Sequence, residues 1–484
     1  VKTDDHAVAA GHSVDPAGWQ EVFEGLMGRI ASRFARVEPR RRVRQLILGL
    51  LADLPRKNCW TIAEHVGDAT PDGLQHLLGR AKWDADLVRD DLRGFVLDHL
   101  ADDQAVLVVD ETGDLKKGTH TVGVQRQYTG TAGRIENAQV AVYLTYTSRH
   151  GHAAIDRALY LPKSWTSDPD RCEQAAVPDT VGFATKPHLG QQMIERALDA
   201  GVSAAWAAGD EVYGDNPNLR TALEAGQLGY VLAVSRTYRV PTPAGPQRAN
   251  HLAKRIPRRA WQKLSAGRGA KGHRWYDWAL VAITTGEPTG HRHLMIRRKR
   301  STGELAYYRC YSPRPVPLST LVKVAGSRWT VEETFQSSKG LAGLDEHQVR
   351  RWDSWHRWVT LALLAHAFLA VTTALECRNQ APVRRRDQPR RTGPAHLQRD
   401  PAPVHYPDRP TRPRPGPTTS LVHLAPTPPS SRPPQPLPPP SRRAMKITIY
   451  GWSTRPSSPA PPPPGGRRGS ATACRPGVPA FPPL

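Results

Sequence analysis

Five cysteines in 484 residues, with no CxxC pair, leave little for metal or disulfide chemistry to work with. Cys59, Cys172, Cys310, Cys377 and Cys474 are scattered, and none has a histidine at zinc-site spacing. That excludes a zinc finger and a disulfide framework, and it fits idle thiols in a reducing cytosol. The opening segment VKTDDHAVAAGHS lacks an apolar core of signal-peptide type, so a cytoplasmic protein is expected. Long apolar runs are also scarce. The longest, Val359 to Leu375, is broken by His366 and three threonines and is marginal for a membrane span. A buried core helix is expected there, with no membrane partner.

Acidic residues are in deficit: 67 Lys and Arg face 44 Asp and Glu, a formal charge of +23. Such a balance favours a polyanionic partner, but the excess is unevenly placed. Residues 381–484 carry 17 Lys/Arg against 3 Asp/Glu, which leaves only +9 for residues 1–380. The same tail holds 29 of the 46 prolines. Its composition predicts a disordered or polyproline-like segment without a packed core.

The first hundred residues read as helical. RRRVRQLILGLLADL sets Val43, Leu46, Ile47, Leu50 and Leu51 at helical spacing. TIAEHVGDATPDGLQHLLGRAKWD then reads as helix, turn, helix, with Pro71 in the first turn of the second helix and Asp68 or Thr70 as its cap. This is the outline of a DNA-reading helix-turn-helix and equally that of two packed helices of a bundle.

From Gln104 the pattern changes to strands. AVLVVD (105–110) is a continuous apolar run ending in an acid, as a buried central strand would be. Gly123–Tyr128 and Val140–Tyr146 suit further strands, Gly190–Ala200 a helix, VSAAWAAGD a short apolar stretch ending at Asp210, and GYVLAV (229–234) another strand. Strands followed by alternating helix and strand predict an α/β domain on a mixed sheet. Residues 235–317 look like a strand-rich insertion. Helical pattern returns from Leu318, through Arg328–Lys339, and again at Trp355–Leu375. The expected organisation is a helical DNA-binding domain (1–100), a catalytic core (101–234 and 318–380) interrupted by the insertion, and the tail (381–484).

Three acids stand out by position. Asp110 and Asp210 each end an apolar stretch, where a carboxylate is held rigidly at the sheet edge. The third lies in SRWTVEETFQSSKG. At about 100° per residue, Arg328, Glu332 and Lys339 fall at about 0°, 40° and 20° and share a helix face, while Glu333 points about 140° away. In isolation this is a weak i,i+4 pair on an exposed helix. With the two earlier acids it also meets the needs of phosphodiester chemistry, in which carboxylates bind metal and cations hold phosphates. In-line cleavage needs an activated water or 3′-hydroxyl and a stabilised leaving oxygen. Two Mg²⁺ ions about 3.5–4 Å apart supply both. These ions prefer oxygen ligands, so three carboxylates suffice, and Mn²⁺ is a substitute.

Longer motifs carry a resemblance. VVDETGDLKKGTHTVGVQRQYTGTAGRIENAQVAV, AAGDEVYGDNPNLR and SRWTVEETFQSSKGLAGLDEHQVRRWDSWHRWVTLALLAHAFLAV resemble bacterial insertion-sequence transposases of the DDE type. The group is the one marked by a Tyr-x2-Arg-x3-Glu-x6-Lys signature, and the branch is that of insertion sequence 701. The likeness runs from about residue 15 to about residue 377, and Arg328, Glu332 and Lys339 fall on the last three signature positions. Ala325 stands where the signature has Tyr.

The resemblance implies an RNase H-like catalytic fold with a β-rich insertion between Asp210 and Glu332. It implies that Asp110 bridges two metal ions while Asp210 and Glu332 each complete one, and that Arg328 and Lys339 contact DNA phosphates. It further implies metal-dependent cleavage and strand transfer on double-stranded DNA, both at the terminal inverted repeats and at the target. A homodimer in the synaptic complex and a nucleoid-associated location follow from the same likeness.

Glu111, Glu211 and Asp215 compete as acids but fall off the pattern, and strand alternation turns Glu111 away from Asp110. Lys116, Lys117 and His120 are candidates for touching DNA from a loop that contains glycine. Trp275, Tyr276 and Trp278 suit cross-strand packing better than base stacking, and His347 and Trp352 receive no role. The tail is unlike the family's basic C-terminal end and reads as the product of a frameshift near residue 385. A decayed or host-adopted copy that binds DNA without cutting is therefore the alternative, and a standalone metal-dependent nuclease a third.

Overall fold

In the computed structural model, residues 15–269, 272–283 and 289–379 are described. The tail and the proposed frameshift lie outside the described residues. Helix Pro16–Ile30 starts where Asp15 accepts a hydrogen bond from the Gly18 N–H, with proline in its first turn. Helix Val37–Leu51 buries Val43, Leu46, Ile47 and Leu50, the face that the spacing predicts. The helix-turn-helix segment forms two short helices, Cys59–His65 and Asp72–Gly79. Asn58 and Thr61 cap the first reciprocally. The second begins at Pro71, which occupies the cap position itself, and Asp68 instead pairs with Arg42.

Helix Ala85–Leu100, capped by Asp84, completes this section and lies against the C-terminal helix Trp352–Asn379. That last helix is long and apolar enough to cross a membrane by length and composition, yet 78% of its most apolar window is buried in the fold. Trp355, Trp358, Leu361 and Leu364 are wholly enclosed, each stabilising the fold by about 1.5–3 kcal/mol. One apolar cluster runs from Phe23 through the sheet to Ala374, so the first hundred residues share a core with the rest.

The strands are β1 Val106–Leu115, β2 Gln125–Thr129, β3 Arg134–Ser148, β4 Gly151–Leu159, β5 Trp206–Gly209 and β6 Gly229–Val234. They are followed by β7 Arg239–Val240, β8 Gln247–Arg248, β9 Gln262–Gly269, β10 Gly272–Ala282, β11 His291–Lys299 and β12 Leu305–Ser312. β1 pairs antiparallel with β3 on one side and parallel with β5 on the other, and β5 pairs parallel with β6. The outer edge of β3 is shared, its first half by β2 and its second by β4. An antiparallel trio joined to two parallel strands, with helices on both faces, is the RNase H-like arrangement that the resemblance implies.

The strand-rich segment after residue 234 extends this sheet. β12 pairs antiparallel with β6, and β11, β10 and β9 follow outward, giving ten strands in one sheet among the described residues, while β7 and β8 form a separate small hairpin. Trp278 is buried among these strands and Tyr276 half-buried, as cross-strand packing requires, whereas Trp275 is exposed.

Candidate active site

β1 is apolar on both faces, as a central strand must be. Leu107 and Val109 enter the main core, while Val106 and Val108 join a second cluster with Leu321, Val322 and Val331. Alternation places Asp110 on the Val106 and Val108 face. That face is covered by helices Leu318–Ser327 and Trp329–Ala342, the second of which carries Glu332. β5 lies parallel beside β1, with Val106 opposite Trp206 and Val108 opposite Ala208. Asp110 and Asp210 each come two residues after that last pair, so the parallel register sets them side by side.

Backbone donors orient both carboxylates. Asp110 Oδ1 accepts from the Glu111 N–H at 2.9 Å, and Asp210 Oδ1 accepts from the Val212 N–H at 2.8 Å while capping the turn Glu211–Gly214. Burial pushes the Asp110 carboxyl up to about 7, with Arg328 opposing and the charges of Asp210 and Glu111 adding. The Asp210 carboxyl is also raised, by burial first and then by the charge of Glu111.

Arg328 sits at the junction of the two covering helices. Its guanidinium lies 3.7 Å from Asp110 Oδ2 and 3.5 Å from Glu332 Oε1. Burial pulls its pKa down, but Asp110, Asp210 and Glu332 together outweigh this and hold it above the ordinary value. One guanidinium thus answers to all three sequence-selected acids. Its Nε is buried without a hydrogen-bond partner.

Among the described residues, no group of three His, Cys, Asp or Glu side chains stands close enough to hold a metal ion. Arg328 lies between two of the acids, Asp110 and Glu332. The chemistry nonetheless fits a hard divalent cation. The donors are all carboxylates, two of them raised by burial first and by neighbouring negative charge after it, and Arg328 meets Asp110 and Glu332 only at long range.

The competing acids have other partners. Glu111 is bound by Lys186 Nζ at 2.8 Å and by the Tyr213 hydroxyl at 2.6 Å. Asp215 accepts from the Ser235 N–H, and Glu211 is exposed. The lysines divide. Lys117 is exposed, as is His120. Lys339, by contrast, is largely enclosed and pairs with Asp114 Oδ1 at 3.0 Å. Lys116 lies 3.3 Å from a ring nitrogen of His347 and donates to its carbonyl at 3.2 Å.

Asp114, which sequence reading passed over, is the hub of this second cluster. It is buried, lies 3.6 Å from His347 Nε2, and its carboxyl is held well below the usual range. His347, Lys339 and Lys116 outweigh the burial that would raise it. The signal was present: residues 110, 112 and 114 share one face of a strand. Two cations on one helix therefore serve two acids on one strand, Arg328 at Asp110 and Lys339 at Asp114. Gly343, left-handed with φ 61°, ends that helix.

Residues 29–285 match the family described as DDE superfamily endonuclease, a span that includes Asp110 and Asp210 and ends before Glu332. Over 225 residues the chain is 28% identical to the "Probable transposase for insertion sequence element IS701" of Microchaete diplosiphon, covering 45% of this chain and 53% of that relative. The chain thus spans about half the length of the curated relative it matches. Among solved structures, the cryo-EM structure of the piggyBac transposase synaptic complex with hairpin DNA aligns with 73% of this chain and 74% of its own, at 11% identity and a TM-score of 0.38.

Proposed function

The chain belongs to the DDE superfamily of endonucleases, and from that premise we propose that it is a DNA transposase that cuts and rejoins strands at the ends of its own element. The observation that carries this is the single guanidinium of Arg328 shared by Asp110 and Glu332, with Asp210 beside Asp110 in the parallel register. Enzymes of this family use divalent metal. On our reading Asp110, Asp210 and Glu332 would hold two Mg²⁺ ions, with Mn²⁺ a substitute. Held there, the metal would supply activation of the attacking water or 3′-hydroxyl and stabilisation of the leaving oxygen.

The chain's own groups do the positioning. β1 and β5 fix two carboxylates on adjacent strands, and backbone N–H groups orient them before substrate arrives. Arg328 offsets part of the acids' negative charge in the free protein, and it is suited to turn towards a phosphate oxygen. Lys117 faces solvent and suits a phosphate contact. In this conformation Lys339 and Lys116 are struts, and a phosphate reaching either would have to displace Asp114 or His347. Double-stranded DNA at the terminal repeats and the target, a homodimer joining two ends, and a cytoplasmic, nucleoid-associated location complete the reading.

The test is incubation of the protein with labelled element ends and Mg²⁺. Cleavage followed by strand transfer is the expected result. Binding without cleavage would instead support the decayed or host-adopted copy, and cleavage without joining a standalone nuclease.

A further inference from the structure

Away from the three acids, a cavity of about 350 Å³ opens among Thr119, His120, Trp165, Arg171, Arg350 and Arg351. Its walls come from three distant parts of the chain. These are the loop after β1, the short helices Lys163–Thr166 and Pro169–Gln174, and the segment before the C-terminal helix. Backbone bonds stitch them together: the Val122 N–H donates to the Arg350 carbonyl at 3.0 Å, and the Trp352 N–H to the Ala175 carbonyl at 2.9 Å. The loop and the last segment also flank the Asp114 cluster, through Lys116 and His347.

The lining is cationic and contains no carboxylate. Arg171 is fixed, 3.8 Å above the Trp165 ring and donating to the carbonyls of Thr119 at 2.9 Å and Val124 at 3.3 Å. Among the described residues the side chains of Arg350 and His120 have no acid or hydrogen-bond partner, and Arg351 reaches Asp353 only at 3.8 Å. Bringing such groups together from three segments costs repulsion that an anion removes. A concave wall of one sign also concentrates the field at its centre. The Trp165 face is already covered by Arg171, so a base has no ring to stack on. What the cavity offers is guanidinium, and the ligand that matches guanidinium is phosphate.

We propose that this cavity holds the sugar–phosphate backbone of the duplex being cut, at a point distinct from the scissile phosphate. This rests on the transposase reading above. The loop that carries Thr119 and His120 follows directly on β1, the strand that holds Asp110, so one stretch of chain joins the cavity to the acids. The contact is to backbone and sets register rather than reading sequence.

The experiment uses the full chain and a labelled duplex spanning an element end, with binding measured across a salt series. The variants are Arg350→Ala with Arg351→Ala, and separately His120→Ala. None of these side chains supports the fold by a bond that the protein needs. The proposal expects the slope of log affinity against log salt to become shallower by roughly 0.9 for each phosphate that the variant no longer neutralises. Replacing single phosphates by neutral methylphosphonates should weaken the wild type at a position away from the cut, and leave the double variant indifferent there.

An unchanged slope and an unchanged methylphosphonate pattern would overturn the site while leaving wild-type cleavage, and so the transposase reading, standing. Loss of DNA binding by the wild type itself would overturn both. Saturable binding of a free mononucleotide that the variants lose, with DNA binding unaltered, would reassign the cavity to a small ligand and also overturn the proposal.

Discussion

Replacing Lys339 by methionine removes the cation that ties the Glu332 helix to β1, and the structure sets what that costs. Lys339 Nζ lies 3.0 Å from Asp114 Oδ1 and 3.4 Å from the Gly113 carbonyl, and Asp114 is buried. Stripping one partner from a buried pair costs about 3–5 kcal/mol, because the other charge is left uncompensated. Lys116 remains near Asp114, so the lower end, about 3 kcal/mol, is expected. Asp114→Asn leaves Lys339 and Lys116 facing each other without their acid and should cost as much, about 3 kcal/mol. The double variant should fall short of the sum, since the two changes share one interaction.

Urea unfolding of the full chain measures all three. The pH dependence has a definite sign. A carboxyl held below its unfolded value of about 3.9 contributes fully above that pH and loses its contribution as pH falls through the folded value. The gap between wild type and Asp114→Asn should therefore be flat from about pH 5 to 8 and close below about pH 4. If Lys339→Met left stability within about 0.5 kcal/mol of wild type and made the DNA salt slope shallower by roughly 0.9, Lys339 would be a phosphate ligand and the strut would be refuted.

Three further outcomes are expected. In metal-free protein, Asp110→Asn should be more stable than wild type at pH 8. The folded Asp110 carboxyl is raised to about 7, so the native state binds more protons than the unfolded chain between about pH 4 and 7, and stability falls as pH rises through that window. Equal melting temperatures with chelator at pH 5 and pH 8 would count against this. Glu111→Gln breaks the pair with Lys186 and weakens the bond from Tyr213, and should cost about 1–3 kcal/mol while keeping metal-dependent cleavage; loss of cleavage in a folded variant would make Glu111 a ligand. Gly343→Ala forces a side chain into the left-handed region, with its Cβ 2.9 Å from Lys57 Cβ, and should lower stability by about 1 kcal/mol or more, read as a shift in urea midpoint.

The outline of the fold was legible where pattern is local. AVLVVD announces a central strand, and the apolar run from Val359 announces a buried helix. Pairing is non-local, so nothing in residues 262–312 reveals that their strands continue the catalytic sheet instead of closing on themselves. β4 was hidden by Asp156 and Arg157, charges that are buried because Asp156 meets Arg89 and Arg196 within the fold.

The site was half legible. Helical phase correctly joined Arg328 to Glu332. It also placed Lys339 on that face, but phase ignores distance along the axis. Eleven residues from Arg328 to Lys339 span about 16 Å at ~1.5 Å each, which carries Lys339 past Asp110 to Asp114. Asp114 itself was hidden because the apolar run stops at Asp110, whereas β1 continues to Leu115.

Single-turnover cleavage of a labelled element end, compared between wild type and Asp110→Ala, Asp210→Ala and Glu332→Ala at saturating DNA and Mg²⁺, tests the central claim most directly. Each variant should bind the end and fold as wild type does, yet lose cleavage and strand transfer by about a thousandfold or more, in keeping with the several kcal/mol that metal supplies to the transition state. Cleavage by Asp110→Ala at the wild-type rate would contradict the assignment of these three acids.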